Sequence, residues 1–150
     1  MDRFVIFNKA TGKRYGMESY GGYKEWNTER AAKAALTRLK KKSLKAFEDE
    51  INQHMDFIIK IHESGEHSFK RQADEFSSQA GRDAYLEERK PYDPEWRLYE
   101  GLCGSEVVTY DYFYENEPMV ERTNLMGGNK YMERLNTPYF LSPSRDSYYR

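Results

Sequence analysis

The stretch GGYKEWNTERAAKAALTRLKKKSLK, Gly21–Lys45, decides the fold, because a short aromatic segment passes directly into a long lysine-rich one. Residues 23–26 alternate outward and inward in the manner of a strand. Asn27 or Thr28 then predicts a helix cap. Glu29 follows in the first turn, where the helix dipole favours negative charge. The stretch therefore predicts a strand that leads into a helix, and it raises the question of whether the lysines bind an anionic partner.

A short β-rich run, FVIF, occupies residues 4–7 upstream of that stretch, and residues 8–13 carry a turn signal with glycine late in it. Residues 13–19 can return as a second strand, and residues 23–26 supply a third. The N-terminal part therefore predicts a β-β-β-α unit, or a hairpin plus a helix if one strand fails.

A long helix is predicted from Thr28 onward, since no glycine or proline follows before Gly65, which stands where a C-terminal cap belongs. Unbroken, this helix would extend about 55 Å at about 1.5 Å per residue. The sequence therefore predicts either a break near residues 40–43 or a helix that projects. We expect the core to combine strand residues with an apolar stripe of this helix: Phe4, Ile6, Trp26, Leu36, Phe47, Ile51 and Ile58.

The middle of the chain alternates short elements with turn signals. A shorter helix is predicted over residues 68–80, with an interruption at Gly81 and a further turn or two before the prolines of KPYDPEW. Residues 96–102 and 107–113 are predicted as strands, although residues 109–114 would also serve as one capped helical turn.

A β-hairpin is the clearest signal near the C-terminus. Residues 119–126 and 130–135 flank the turn sequence Gly-Gly-Asn. The tail, residues 136–150, contains two prolines and four aromatic side chains. It is predicted to be irregular and to lie across the domain or a partner.

These elements predict an α+β fold with a short N-terminal antiparallel sheet, one long and one shorter helix, and a C-terminal β-hairpin with an irregular aromatic tail. A chain of 150 residues has the size of one ordinary domain, so residues 1–150 are predicted to form a single domain. Within it we distinguish a basic strand–helix unit over residues 1–65, a helix and loop segment over 66–118, and the hairpin plus tail over 119–150.

Charge is split along the chain, although the formal net charge is only −1. Residues 1–45 hold 12 Lys/Arg and 4 Asp/Glu, a net charge of +8, so the rest of the chain carries −9. Such asymmetry indicates an acidic partner at the basic end, or attraction between the two halves within one fold.

Several chemistries lack the residues that they need. His54, His62 and His67 do not have the i, i+4 spacing that lets two imidazoles share a metal on a helix. Cys103 is the single cysteine, and no neighbouring base or helix N-terminus is predicted to activate it. We therefore predict a protein that is not an enzyme, with no catalytic residue, no metal and no cofactor.

The expected location follows from similar observations. No apolar run approaches the roughly 18 residues that span a bilayer. The first residues, MDRFVIFNK, lack the basic flank and long apolar run of a secretory signal. One cysteine fits a reducing compartment. We expect no membrane association and no secretion.

Both terminal parts of the chain carry a family resemblance. FVIFNKATGKRYG and GGYKEWNTERAAKAALTRL near the N-terminus, and MVERTNLMGGNKYMERLNTPYFLSPSRDSYY near the C-terminus, resemble small proteins encoded by tailed bacteriophages. The C-terminal pattern runs NLMGGNK, then NTPYFLSPS, then YY. The resemblance implies a viral protein in the virion or the host cytoplasm, and it implies no activity, cofactor or catalytic residue.

The sequence favours protein–protein interaction, as a virion-associated or host-directed accessory factor. Ten of the thirteen tyrosines lie from Tyr85 onward, in the acidic part of the chain. Tyrosine is enriched at interfaces because it buries a large area and keeps a polar tip. The partner is another protein of the phage or host, or a second copy of this chain. The candidate interaction residues are Tyr112, Tyr114, Tyr139, Phe140, Tyr148 and Tyr149.

The alternative is nucleic-acid binding by the basic N-terminal sheet and helix. Lysine and arginine side chains would reach phosphates from both elements. The candidate residues are Lys13, Arg14, Lys24, Arg30, Lys33, Lys40, Lys41 and Lys42. We expect the direction of these side chains to separate the two functions.

Overall fold

A computed structural model describes residues 2–15, 24–124 and 126–136. Helices and short antiparallel strand pairs alternate in it, which confirms the predicted α+β class. In chain order the elements are β1 (Phe4–Phe7), α1 (Glu29–Glu63), α2 (Lys70–Phe76), α3 (Gln79–Arg89), a 3-10 turn (Lys90–Tyr92), α4 (Pro94–Cys103), β2 (Glu106–Thr109), α5 (Tyr110–Asn116), β3 (Met119–Thr123) and β4 (Lys130–Arg134).

The chain divides into two compact units. The first unit comprises residues 1–37 and 104–150, and the second comprises residues 38–103. The boundaries fall inside α1 and directly after α4. The predicted single domain with segments 1–65, 66–118 and 119–150 stays a prediction. The first unit therefore combines the two ends of the chain.

The sheet of the first unit pairs β1 with β2 in antiparallel register, with Phe4 opposite Thr109 and Phe7 opposite Glu106. The described part of the predicted second strand, residues 13–19, lies beside β1 through a bridge from Arg14 to Phe7 and a hydrogen bond from the Tyr15 N–H to the Ile6 carbonyl at 3.0 Å. Residues 16–23 lie outside the described residues. The far-downstream Glu106-Val-Val-Thr run pairs with the other edge of β1, and its adjacent valines suit a pleated, half-buried surface.

The run after β2 was open to two interpretations, and the helical one is confirmed. The strand ends at Thr109, whose hydroxyl accepts a hydrogen bond from the Tyr112 N–H at 3.1 Å. This side-chain cap starts α5, so the strand predicted over residues 107–113 stops early.

The second unit is helical and is built on the C-terminal part of α1. That helix runs unbroken for 35 residues, so of the two predicted alternatives the break near residues 40–43 is wrong. The Ser43 hydroxyl donates to the Leu39 carbonyl at 2.7 Å, which satisfies its polar group inside the helix. Gly65 has φ of +104°, as its predicted role at the helix end requires. Six residues form the core: Phe47, Ile51, Met55, Ile58, Ala73 and Phe76.

Two other predictions for this unit are wrong. Residues 96–102 form helix α4 and not a strand, because the Asp93 carboxylate accepts from the Glu95 N–H at 2.8 Å and Pro94 is the first helical residue. The helix break predicted at Gly81 lies earlier, where Ser78 caps α3 by accepting from the Gly81 N–H.

The predicted core is confirmed in its main members. Ile6, Leu36, Phe47, Ile51 and Ile58 are buried. The two remaining residues of that set, at positions 4 and 26, are half-buried. The predicted hairpin is also confirmed, with β3 and β4 paired antiparallel.

Candidate protein-interaction surface

Helix α5 places its aromatic rings on different sides. Phe113 is 2% exposed and meets Phe7 edge-on, with ring centroids 5.4 Å apart. Tyr112 and Tyr114 are 36% and 55% exposed. Because successive helical residues project about 100° apart, the buried ring anchors the helix while its two neighbours face outward.

The two predicted interaction tyrosines of α5 belong to different surfaces. Lys9 Nζ lies 4.9 Å from the centre of the Tyr112 ring and 2.8 Å from Glu106. Two hydrogen bonds raise the pKa of Lys9: the larger effect comes from Glu106 and the second from Tyr112. Tyr114 instead lies against Arg134, whose guanidinium carbon is 3.8 Å from the ring centre.

One face of the β3–β4 hairpin exposes two thioethers. Met119 is 51% exposed and Met132 is 59% exposed. Met119 lies opposite Arg134 across the strands. Met132 is two residues from Arg134 on the same strand, so all three side chains project from the same face. We call Tyr114, Met119, Met132 and Arg134 the hairpin surface.

Arg134 connects α5 to the hairpin. Its guanidinium forms an ion pair with Glu117 and donates to the Tyr114 carbonyl at 2.5 Å. Glu117 is buried, and its second oxygen accepts from the Asn136 N–H at 2.9 Å. A charge-assisted pair with a buried carboxylate holds Arg134 in one place, so the arginine of the hairpin surface is preorganised.

Asn136 extends this network to the N-terminal turn. Its side-chain oxygen accepts from the Arg14 N–H at 2.7 Å, and its amide nitrogen donates to the Gly12 carbonyl at 2.6 Å. The residue is 7% exposed. Both polar ends of the side chain are therefore satisfied by backbone from the other end of the chain.

Gly12 is required where this turn passes the hairpin. Its φ of +74° lies in the left-handed region, and a Cβ there would stand 2.3 Å from the Pro118 Cγ atom. Only glycine accepts both the conformation and the close approach.

Arg14 is a correction to the predicted nucleic-acid set. It is 3% exposed, pairs with Glu25 at 3.1 Å and lies 4.9 Å from the centre of the Phe113 ring. Burial lowers the pKa of Arg14, and Glu25 opposes that change. Its side chain is buried inside the first unit and is not open to a phosphate.

The opposite hairpin face holds a poorly solvated acid. Glu133 has a side chain that is only 10% exposed, with Oε2 at 3.1 Å from the Arg122 Nε. Within the described part of the chain, Oε1 has no hydrogen-bond partner. Burial raises the pKa of Glu133, and Arg122 offsets part of that shift.

The other predicted cations are divided between the two units. Lys13, Lys24, Arg30 and Lys33 belong to the first unit and are exposed. Lys33 pairs with Glu29 at 2.7 Å.

Lys40, Lys41 and Lys42 belong to the second unit. Lys41 and Lys42 are exposed, whereas Lys40 is half-buried. Three consecutive helical residues span about 200° of the helix surface, so the three lysines do not all share one face.

Folding largely removes the charge asymmetry seen along the chain. The first unit holds 12 Lys/Arg and 11 Asp/Glu, a net charge of +1. The second holds 12 and 14, a net charge of −2. The first unit combines residues 1–37, with a net charge of +3, and residues 104–150, with a net charge of −2.

Four of the predicted interaction residues, Tyr139, Phe140, Tyr148 and Tyr149, lie outside the described residues. Met119, Met132 and Arg134 were not among the predicted site residues. Alternation within the hairpin hints at their common face, but the contact of Arg134 with Tyr114 joins residues 20 apart, and no periodic signal reports it.

Across the described ranges, no group of three or more His, Cys, Asp or Glu side chains is arranged to hold a metal ion. Cys103 is exposed and its hydrogen bond with Tyr99 raises the pKa of that tyrosine. Of the helices described, none offers the apolar length that a bilayer crossing requires.

Comparison with known proteins finds no matching family model, no matching curated protein and no matching solved structure.

Proposed function

We propose that this chain is a non-enzymatic interaction protein and that the hairpin surface binds another protein. The observation that carries the proposal is the pair of exposed thioethers, Met119 and Met132, on one hairpin face beside Tyr114. Isolated exposed apolar residues are ordinary, whereas these share a face with an arginine held by a buried acid.

The chemistry of the surface suits a protein partner. Methionine is flexible and polarizable, so it fits irregular apolar contours. Tyrosine and arginine are the residues most often found at the energetic centre of interfaces. Because Arg134 is already fixed by Glu117, less side-chain entropy is lost on binding.

A role as a bacteriophage accessory protein, in the virion or directed at the host, belongs to the same proposal. Its support is the resemblance of the terminal segments to small proteins of tailed phages. The partner would then be a phage or host protein, or a second copy of this chain.

Site-specific photo-crosslinking tests the proposal. A crosslinker at position 132 should capture a discrete partner in lysate of cells that express the protein natively, or a second copy of the chain. The same crosslinker at Lys60, which is exposed in the second unit, should not.

Competition then links capture to the hairpin surface. Excess unlabelled wild-type chain should suppress the crosslink. The same excess of the unlabelled double variant Met119→Glu/Met132→Glu should not suppress it. The matched control is Met126→Glu, since Met126 is 96% exposed in the hairpin turn and outside the surface. Equal competition by the double variant would place the contact elsewhere and contradict the proposal.

A further inference from the structure

Four cations form a continuous face on helix α1 within the second unit. Arg38, Lys41, Lys42 and Lys45 are all exposed, and the Lys45 side chain is 76% exposed. Their positions follow the i, i+3, i+4, i+7 pattern, which places side chains on one side of a helix. We call these four residues the basic face.

The basic face works against the stability of its own helix. Arg38 and Lys42 are four residues apart, as are Lys41 and Lys45, and like charges at that spacing repel. Acids follow on this side only beyond Lys45, where Asp49 pairs with that lysine at 3.0 Å. A face that serves only as solvated surface usually mixes both signs, so the unmixed cations indicate an anionic ligand.

The opposite side of the same helical segment is packed. Ser43 and Phe47 are 2% and 1% exposed, and Phe47 belongs to the core of the second unit. The helix is therefore held in place, and its cations are presented on a rigid rod with a rise of about 1.5 Å per residue.

The surrounding residues select the class of anion. Residues 38–45 contain no aromatic residue, and the two leucines among them are half-buried. An interfacial membrane helix needs an exposed apolar face, which this segment lacks. Protein hot spots are built from aromatic residues as well as arginine, and binding of single strands relies on aromatic stacking. Duplex phosphates require only cations at regular spacing.

We propose that the basic face binds the phosphate backbone of duplex nucleic acid without reading its sequence. This site differs from the one predicted from sequence, because it includes Arg38 and Lys45 and leaves out Lys40. It lies in the second unit, whereas the hairpin surface lies in the first, so the inference goes beyond the proposed function.

Fluorescence anisotropy with a short labelled DNA duplex provides the test, with the full chain titrated at several salt concentrations. Three phosphate contacts by Arg38, Lys41 and Lys42 predict a log–log salt slope whose magnitude is at least about 2.7. This slope corresponds to a roughly 40-fold loss of affinity between about 50 and 200 mM salt. The variant Arg38→Gln/Lys41→Gln/Lys42→Gln should reduce the magnitude of the slope by about 2.7. Glutamine is a good helix former, and unchanged circular dichroism would show that α1 persists.

The matched control removes the same charge elsewhere in the second unit. Lys60→Gln/Lys70→Gln/Arg71→Gln replaces three exposed cations outside the basic face and should leave the slope within about one contact of wild type. If the salt slope falls equally in both triple variants, the effect depends on net charge alone, and the proposal is overturned.

Two further results would also overturn it. One is the absence of any anisotropy change at about 50 mM salt and micromolar protein, where non-specific duplex binders register. The other is stronger binding of the wild-type chain to polyglutamate or to vesicles rich in phosphatidylserine than to the duplex, which would assign the face to an acidic protein or to a membrane.

Discussion

Asn136 is the residue on which the closure of the first unit depends most directly. Its amide satisfies the Arg14 N–H and the Gly12 carbonyl, both from the opposite end of the chain and both in buried hydrogen bonds. Replacement by a smaller apolar residue leaves these two backbone groups without that partner, which costs more than the loss of an exposed hydrogen bond.

We expect Asn136→Ala to lower the free energy of unfolding by about 2 kcal/mol, since one buried group without a partner costs about 1–3 kcal/mol. Denaturant titration followed by circular dichroism measures it. Gln53→Ala, which removes a side-chain amide at an exposed position of α1, should stay within about 0.5 kcal/mol of wild type. Similar losses in the two variants would show that the buried network adds nothing.

The poorly solvated carboxyl group of Glu133 leads us to predict that the stability of the fold depends on pH. Burial raises the pKa of Glu133 above its ordinary value, so the folded state holds the proton more tightly than the unfolded state. Its contribution to stability is full below the ordinary pKa of a glutamate, and it is lost as pH rises through the raised folded pKa.

Glu133→Gln should therefore flatten the change in stability across that pH window and raise the free energy of unfolding at neutral pH. Denaturant midpoints measured from about pH 4 to pH 7 check this. The control is Glu121→Gln on the exposed face of the hairpin, whose side chain is 56% exposed. If Glu133→Gln keeps the wild-type pH profile, the carboxylate is better solvated than its burial indicates.

At the scale of the element, α1 carries both structural and candidate binding residues, and its cations differ in their neighbours. Lys42 has Arg38 four residues before it and Lys45 three residues after it. Lys60 stands instead between Asp56 and Glu63, at the same spacings. The same substitution at these two positions should therefore change the free energy of unfolding in opposite directions.

Lys42→Glu converts two repulsive pairs into attractive ones, so we expect it to raise the free energy of unfolding by about 0.5–1 kcal/mol. Lys60→Glu should lower it by a similar amount, because it adds like charges and removes a cation from the last turn of the helix. Thermal and denaturant unfolding measure both. If the proposed duplex site is correct, Lys42→Glu also weakens DNA binding, so stability and binding change in opposite directions.

At the scale of the whole molecule, the core of the first unit joins residues that are distant in the chain. Val5 and Phe7 of β1 pack with Phe113 of α5, while residues 38–103 form the other unit between them in sequence. Non-local contacts of this kind form only after a long loop closes. They are the contacts that a local signal cannot report.

A double-mutant cycle on Phe7→Leu and Phe113→Leu should show this directly. The two rings meet edge-on, so we expect a coupling energy of about 0.5–1.5 kcal/mol beyond the sum of the two burial effects. Phe7→Leu combined with Met126→Leu serves as the additive reference, since Met126 is 96% exposed. A coupling energy of zero would mean that the two rings do not stabilise each other.

Local signals in the sequence determined much of the secondary structure. The absence of glycine and proline up to Gly65, together with the apolar stripe, determined α1, and the Gly-Gly-Asn turn between alternating runs determined the hairpin. These signals succeed because capping, helical periodicity and hairpin turns depend on residues a few positions apart. The strand prediction for residues 96–102 is wrong because the local cap at Asp93 starts α4 there.

Tertiary structure alone decided which elements and charges meet. It gave β1 its partner β2, buried Arg14 against Glu25, placed Arg134 between Tyr114 and Glu117, and combined the two chain ends into a nearly neutral unit. Strand pairing and burial depend on which distant segments exclude water together, and a sequence pattern does not encode that pairing locally. For the basic face, the sequence already contains the helical periodicity. Only the unbroken helix and the burial of its opposite side show which four cations lie together on one exposed side.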